Sequence, residues 1–270
     1  MQVTENHLEI VESPPAGARR RPPLLFVHGA YGAAWCWQPN FLPYFSARGY
    51  HGYALSLRGH GHSEGRDTLA QASVADYVAD VRRVAEQITA LHGCKPILLG
   101  HSMGGFVALA CARELRLAGL ALLASVPPGG LLGSAMHMLW QHPQLLWELN
   151  LLQHGGRPPH LEKLRELLFS EGLDEATLLG YASRFQHESD RALLEMTLPQ
   201  WDQRPPLGLP PVLVLGSDGD KLMPTHLIEQ TAMQLGVPAQ HLDGMGHMLM
   251  LDQAWPLAAS AVASWLETLP

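Results

Sequence analysis

The pentapeptide Gly100-His101-Ser102-Met103-Gly104 carries the clearest chemical meaning in this chain. A serine set between two glycines in this way fits a sharp strand-to-helix turn, where larger side chains would collide with neighbouring backbone. The flanks agree. Pro96-Ile97-Leu98-Leu99 reads as a buried strand, and Gly105-Phe106-Val107-Ala108-Leu109-Ala110-Cys111 as a helix of small residues. Such a turn presents the hydroxyl at a helix N-terminus, whose dipole favours developing negative charge. The chemistry to expect is nucleophilic attack by Ser102 on an acyl carbon.

A serine hydroxyl is a weak nucleophile near neutral pH, so it needs a base, and the base needs an orienting carboxylate. The pentapeptide resembles the nucleophile turn of the α/β-hydrolases, and that resemblance implies that the acid follows the serine in the chain and the histidine comes last. His247, in Gly246-His247 after the last strand pattern and before the last helical one, is the expected base. The acid falls in the segment Val212 to Pro224, which runs from a strand pattern into a loop with two aspartates. Asp220, four residues before Pro224, is preferred by that spacing, with Asp218 as the alternative. The unused one is expected to cap a turn of its own loop.

A tetrahedral intermediate also needs hydrogen-bond donors for its oxyanion, each worth roughly 3 kcal/mol. One is expected from the Met103 N–H, next after the nucleophile. The other should come from the loop Phe26-Val27-His28-Gly29-Ala30-Tyr31-Gly32, with the Ala30 N–H as candidate. His28 is expected to be a structural hydrogen-bonder on that loop.

These residues require a sheet whose loops converge at one edge. Short apolar runs bounded by turn residues alternate with longer segments of helical period, which predicts an α/β fold with a mostly parallel sheet flanked by helices. The spacing predicts strands over 8–12, 24–27, 53–57, 96–99, 120–124, 212–215 and 239–242, and helices over 37–47, 74–91, 103–115, 225–235 and 255–266. Asp252 is placed to N-cap the last helix, with Pro256 tolerated in its first turn.

The alternation breaks between Pro127-Pro128-Gly129-Gly130 and Arg204-Pro205-Pro206, and the sequence between them is helical in pattern. Residues 1–126 and 208–270 are therefore expected to form the core, and 127–207 a helical cap inserted into it. The cap is the expected source of specificity. Its dense apolar segment includes Met136, Met138, Leu139, Trp140, Leu145, Leu146 and Trp147. Met136 and Trp140 from the cap, with Tyr31, His101 and Met248 beside the catalytic candidates, are the expected substrate contacts.

With 270 residues, 47% of them hydrophobic, the chain can bury a large core without disulfides or metals. A net charge of −7 gives no basic field for a phosphate backbone, so nucleic acid is not an expected partner. The Arg19-Arg20-Arg21 run is expected to be a solvated turn. Cys36, Cys94 and Cys111 stand apart, which argues for a reducing compartment. The N-terminus lacks the basic and apolar regions of a secretion signal, and no apolar run reaches the ~18 residues of a membrane span. The expectation is a cytoplasmic protein with no transmembrane segment. The 15 histidines lack the spacing of a recognisable ligand set, so neither metal nor cofactor is expected.

At these residues the chain resembles the α/β-hydrolase superfamily. His28-Gly29, the turn Arg58-Gly59-His60-Gly61-His62-Ser63, Gly100 to Gly105, Asp220 with Pro224, and Gly246-His247 fall in the family's order. Many members have Asp where Ser56 stands here. The stretch His28 to Trp37 is similar to the plant methylesterase and hydroxynitrile lyase branch, in which the residue after His-Gly supplies an oxyanion amide; that supports Ala30. Hydroxynitrile lyases carry a lysine directly after the catalytic histidine, and Met248 stands there instead. Epoxide hydrolases and haloalkane dehalogenases of the fold use Asp where Ser102 stands. The resemblance implies a serine esterase or lipase-like enzyme acting on a small-molecule ester with an apolar acyl or alcohol part. Open alternatives are a thioester or lysophospholipid substrate, a C–C bond hydrolase with the same triad, and a non-catalytic ligand-binding or receptor-like member. A homodimer is left open.

Overall fold

The structure, a computed structural model, describes residues 7–17, 21–155, 160–197 and 208–270. The expectations for the first six residues, for Arg19 and Arg20, and for the Arg204-Pro205-Pro206 boundary with the cap's end at 207 lie outside the described residues.

Seven strands form one sheet: β1 (Ile10–Ser13), β2 (Leu24–Val27), β3 (Gly52–Leu55), β4 (Ile97–His101), β5 (Gly119–Leu123), β6 (Val212–Ser217) and β7 (Ala239–Leu242). Their order is β1-β3-β2-β4-β5-β6-β7. Only β1 runs antiparallel to its neighbour, pairing Ile10 with Leu55. The remaining pairs are parallel, as for Leu24 with Ile97 between β2 and β4.

The inner strands read as unbroken apolar runs because both faces of the sheet are covered. Leu24, Phe26, Leu99, Leu123 and Leu215 point to one face, against Trp37, the helix α1 (Phe41–Ser46) and the last helix, α10 (Trp255–Leu266). Leu25, Val27, Leu98, Leu122 and Val214 point to the other, against α2 (Val74–His92), α3 (Met103–Cys111) and α9 (Thr225–Leu235). Helix α2 opens on a capping box: Ser73 Oγ accepts from the Asp76 N–H at 3.1 Å, and the Asp76 carboxylate accepts from the Ser73 N–H at 2.9 Å.

Between β5 and β6 the described residues hold five helices and no strand: α4 (Leu132–Gln141), α5 (Pro143–His154), α6 (Leu161–Leu168), α7 (Glu175–Ala182) and α8 (Asp190–Thr197). This insertion is stitched to the sheet loops. Ser134 Oγ donates to the Leu222 carbonyl at 2.6 Å, and the Met248 N–H to the Leu168 carbonyl at 2.9 Å.

Several local readings need correction. The expected helix over 37–47 is split into a 3-10 turn, Ala34–Trp37, and α1, because Pro39 and Pro43 supply no N–H for an unbroken helical ladder. Asp252 does not cap α10, which begins after Ala254 without a side-chain cap. Its carboxylate is buried and accepts from the N–H groups of Gly246 (3.1 Å), Ser170 (2.7 Å) and Ala254 (3.1 Å) and from the Ser170 hydroxyl (2.8 Å). Arg21 is not solvated: it lies over the Tyr50 ring and pairs with Glu267 at 2.7 Å. Among the described residues no helix is long and apolar enough to cross a membrane.

Candidate active site

Because β2, β4, β6 and β7 run the same way, the loops that follow them open at one edge of the sheet. Ser102 follows β4 at the centre of the strand order, and its backbone takes φ 52° and ψ −120°, a conformation L-residues rarely adopt. The turn is held by hydrogen bonds: the Ser102 N–H donates to the Leu123 carbonyl at 3.0 Å, and its own carbonyl accepts from the Gly105 and Val126 N–H groups. Gly104 is required because a Cβ there would run into the carbonyl oxygens of Val27 and His28. Helix α3 starts at Met103, so the N–H groups that open its first turn lie next to the serine.

His247 lies on the loop after β7, and its Nδ1 is 2.8 Å from Asp220 Oδ2. The other Asp220 oxygen accepts the N–H groups of Leu222 at 2.8 Å and Met223 at 2.9 Å, so the carboxylate is held at both ends. A carboxylate facing Nδ1 makes that nitrogen the donor and leaves Nε2 with its lone pair free to accept a proton. Asp218, by contrast, reaches across its loop and takes the Gly244 N–H at 2.6 Å, a bond to the neighbouring loop instead of to its own turn.

The loop after β2 is pressed against the serine: a Cβ on Gly29 would stand 3.0 Å from Ser102 Cβ. His28 Nε2 faces the Leu57 N–H at 3.1 Å and must accept there, so Nδ1 carries the proton and donates to the Gly29 carbonyl at 2.8 Å. Burial, and then the charge of His60, lower its pKa to about 3, which keeps this tautomer neutral. A peptide unit is planar, so fixing the Gly29 carbonyl also fixes the direction of the Ala30 N–H on the far side of the same bond. Ser56 accepts the Ala34 N–H and donates to Glu9 Oε2 at 2.6 Å, so a carboxylate anchors this corner.

A cavity of about 100 Å³ opens over these groups, lined by Ala30, Tyr31, His101, Ser102, Met103, His247 and Met248. Its outer wall is apolar and comes from the insertion, through residues such as Leu149, Leu152, Phe185, Leu193 and Met196. A wider groove of about 580 Å³ lies alongside and shares Tyr31, Leu131, Leu149 and Leu193 with it. His101 is buried and donates from Nε2 to the His247 carbonyl at 2.9 Å; burial and the neighbouring His247 keep it neutral by lowering its pKa well below the usual range.

Two expected contacts are not brought here. Met136 and Trp140 are 47% and 76% exposed, because α4 turns Ser134 and Met138 inward and these two side chains outward. The wall residues Phe185, Leu193 and Met196 were not singled out from sequence. Leu193 and Met196 sit at helical spacing on α8, a signal a periodicity reading of that segment could have used.

A family model described as "Alpha/beta hydrolase family" matches residues 24–259. Among solved structures, the chain is similar to a thermophilic esterase from Thermogutta terrifontis, with 21% identity, 97% of this chain and 93% of that one covered, and a TM-score of 0.72. It is also similar to an esterase from Exiguobacterium antarcticum (18% identity, 98% and 97% covered, TM-score 0.75). A third is an enol-lactonase from Burkholderia xenovorans LB400 (16% identity, 98% and 98% covered, TM-score 0.70). At these identities the likeness speaks for the fold alone.

Proposed function

The chain belongs to the α/β-hydrolase family, and from that premise we propose that it is a serine hydrolase cleaving carboxylic esters with an apolar acyl or alcohol part. The observation that carries this reading is that His247, oriented by Asp220 at 2.8 Å, lines the same small apolar cavity as Ser102.

In the proposed reaction Ser102 Oγ attacks the ester carbonyl while His247 Nε2 takes the hydroxyl proton. The carbonyl oxygen becomes an oxyanion facing the N–H groups of Ala30 and Met103. Collapse of this intermediate expels the alcohol, which receives the proton from His247, and leaves an acyl group on Ser102. A water molecule, deprotonated by His247, then attacks the acyl carbon, and the carboxylic acid leaves as Ser102 regains its proton. Asp220 orients His247 and stabilises the imidazolium formed in each half. Helices α4 to α8 serve as a cap whose apolar side chains exclude water and select the substrate, which makes a small-molecule ester the expected partner.

Labelling with a fluorophosphonate probe, followed by p-nitrophenyl esters of graded chain length, tests this reading. Expected are stoichiometric modification at Ser102 and turnover that depends on chain length. A protein that neither reacts with the probe nor turns over any ester would sink it.

A further inference from the structure

The irregular strip of the insertion between α7 and α8, residues 185–189, makes an unusually dense set of polar contacts with the sheet loops. The Gln186 N–H donates to the Tyr31 carbonyl at 3.0 Å. Its side chain bridges the Gly-rich turn after β3: Oε1 accepts the Gly61 N–H at 2.9 Å, and Nε2 donates to the Gly59 carbonyl at 3.0 Å. Next along the strip, Glu188 pairs with His60 at 3.0 Å with neither side chain exposed, and accepts the Tyr77 hydroxyl at 2.6 Å. Gln153 of α5 clasps the Glu188 backbone from behind, donating to its carbonyl at 2.9 Å and accepting its N–H at 3.2 Å.

Tyr31 is where this matters. It is the third residue of a turn closed by the Gly32 N–H on the Gly29 carbonyl at 3.3 Å, and its φ is 66°. That position ordinarily takes glycine, so a tyrosine there must be held by its surroundings. The contact from Gln186 is such a hold, and the Ala30 N–H lies two peptide units upstream of the carbonyl it grips.

We propose that Gln186 is a positioning residue for the reaction: by gripping the Tyr31 carbonyl while its side chain is locked to Gly59 and Gly61, it keeps the Ala30 amide aimed at the oxyanion. The insertion then completes the catalytic machinery as well as roofing the pocket. This inference rests on the esterase reading and on Ala30 as an oxyanion donor. It assigns to a residue outside the serine, acid and histidine set an effect on kcat and little effect on KM, because the oxyanion forms in the transition state and the tetrahedral intermediate and is absent from the bound ester.

The test is a double-mutant cycle on ester hydrolysis with Gln186→Ala, Tyr31→Gly and the pair. Gln186→Ala should lower kcat by about 10-fold or more with KM within about twofold, and weaken an alkylboronic acid, which mimics the oxyanion on Ser102, by the same factor. Glycine at 31 accepts a positive φ without strain, so in the Tyr31→Gly background the loss from Gln186→Ala should shrink to about threefold or less. Gln186→Glu, which keeps volume and an acceptor for Gly61, replaces the alanine variant should that fail to fold. An unchanged kcat in a folded variant, a loss confined to KM, or strictly additive losses would each overturn the inference while leaving the esterase reading intact. Wild-type protein that is inert to esters and fluorophosphonate would instead remove the functional reading, and this inference with it.

Discussion

His247 Nδ1 and Asp220 Oδ2 stand 2.8 Å apart, with their side chains only 4% and 0% exposed. The contact is shielded from solvent and fixes which ring nitrogen faces the carboxylate. Asp220→Asn should therefore lower kcat by about 10⁴-fold by favouring the wrong tautomer, whereas Asp218→Asn should change it less than about threefold. Steady-state kinetics on one p-nitrophenyl ester decide it, and the reverse ranking would reassign the acid.

Replacing Ser102 with alanine removes the proposed nucleophile and almost no volume. Hydrolysis should fall on the order of 10⁴-fold or more while the circular dichroism spectrum stays native. Persisting turnover in a purified, folded variant would take Ser102 out of the mechanism.

Gly104→Ala places a methyl group against the Val27 and His28 carbonyls, both backbone atoms of a buried strand end. The cost should reach about 3 kcal/mol or more, visible as a fall in Tm of several degrees or as insoluble protein. A variant as stable as wild type would contradict the close approach.

The buried His60 and Glu188 pair gives a pH dependence with a definite sign. Burial works against charge on both, but their mutual attraction and hydrogen bonds outweigh it, raising His60 above its ordinary value of 6.5 and lowering Glu188 below 4.5. The His60 contribution is complete below 6.5 and is lost as pH rises through the raised value; the Glu188 contribution is complete above 4.5 and is lost as pH falls through the lowered one. Urea denaturation between pH 6 and 10 should show wild type losing stability that Glu188→Gln has already lost, so the two curves converge at high pH. Parallel curves would mean that His60 is not charged in the folded protein.

Trp140→Ala, at 76% exposure on α4, should leave kcat and KM within about twofold, whereas Leu193→Trp, which fills the cavity wall, should raise KM for long-chain esters about 10-fold. An ester panel run on both variants measures this, and a strong effect at Trp140 would move the substrate path outward.

Much of the sheet was legible because its inner strands, such as β2, are buried on both sides and because glycine and proline punctuate the chain, so β2, β7, α9 and α10 have the bounds that the sequence spacing predicts. The serine turn was legible for a different reason: glycine at 104 is forced by contacts within a few ångströms of the motif itself. The insertion was harder. Helix α4 has apolar residues on both its faces, Met138 inward and Met136, Leu139 and Trp140 outward, so its hydrophobic phase does not say which side meets the substrate. Glu188 and Gln186 find their partners 128 and 125 positions away, and Asp252 satisfies Ser170 at a separation of 82. No local pattern encodes such meetings, which exist only once the sheet has brought the loops together.

The bond from Ser170 to Asp252 bears on how freely this protein could be re-engineered. Helices α4 to α8 enter and leave through two adjacent strands, which invites the idea of grafting in a foreign roof to change selectivity. A chimera built that way would take two of its four hydrogen bonds from the buried Asp252 carboxylate beside the histidine loop and strip the grip on Tyr31. The insertion is an interlocked part, and a transplant has to carry its Ser170 and Gln186 contacts along with its share of the cavity wall.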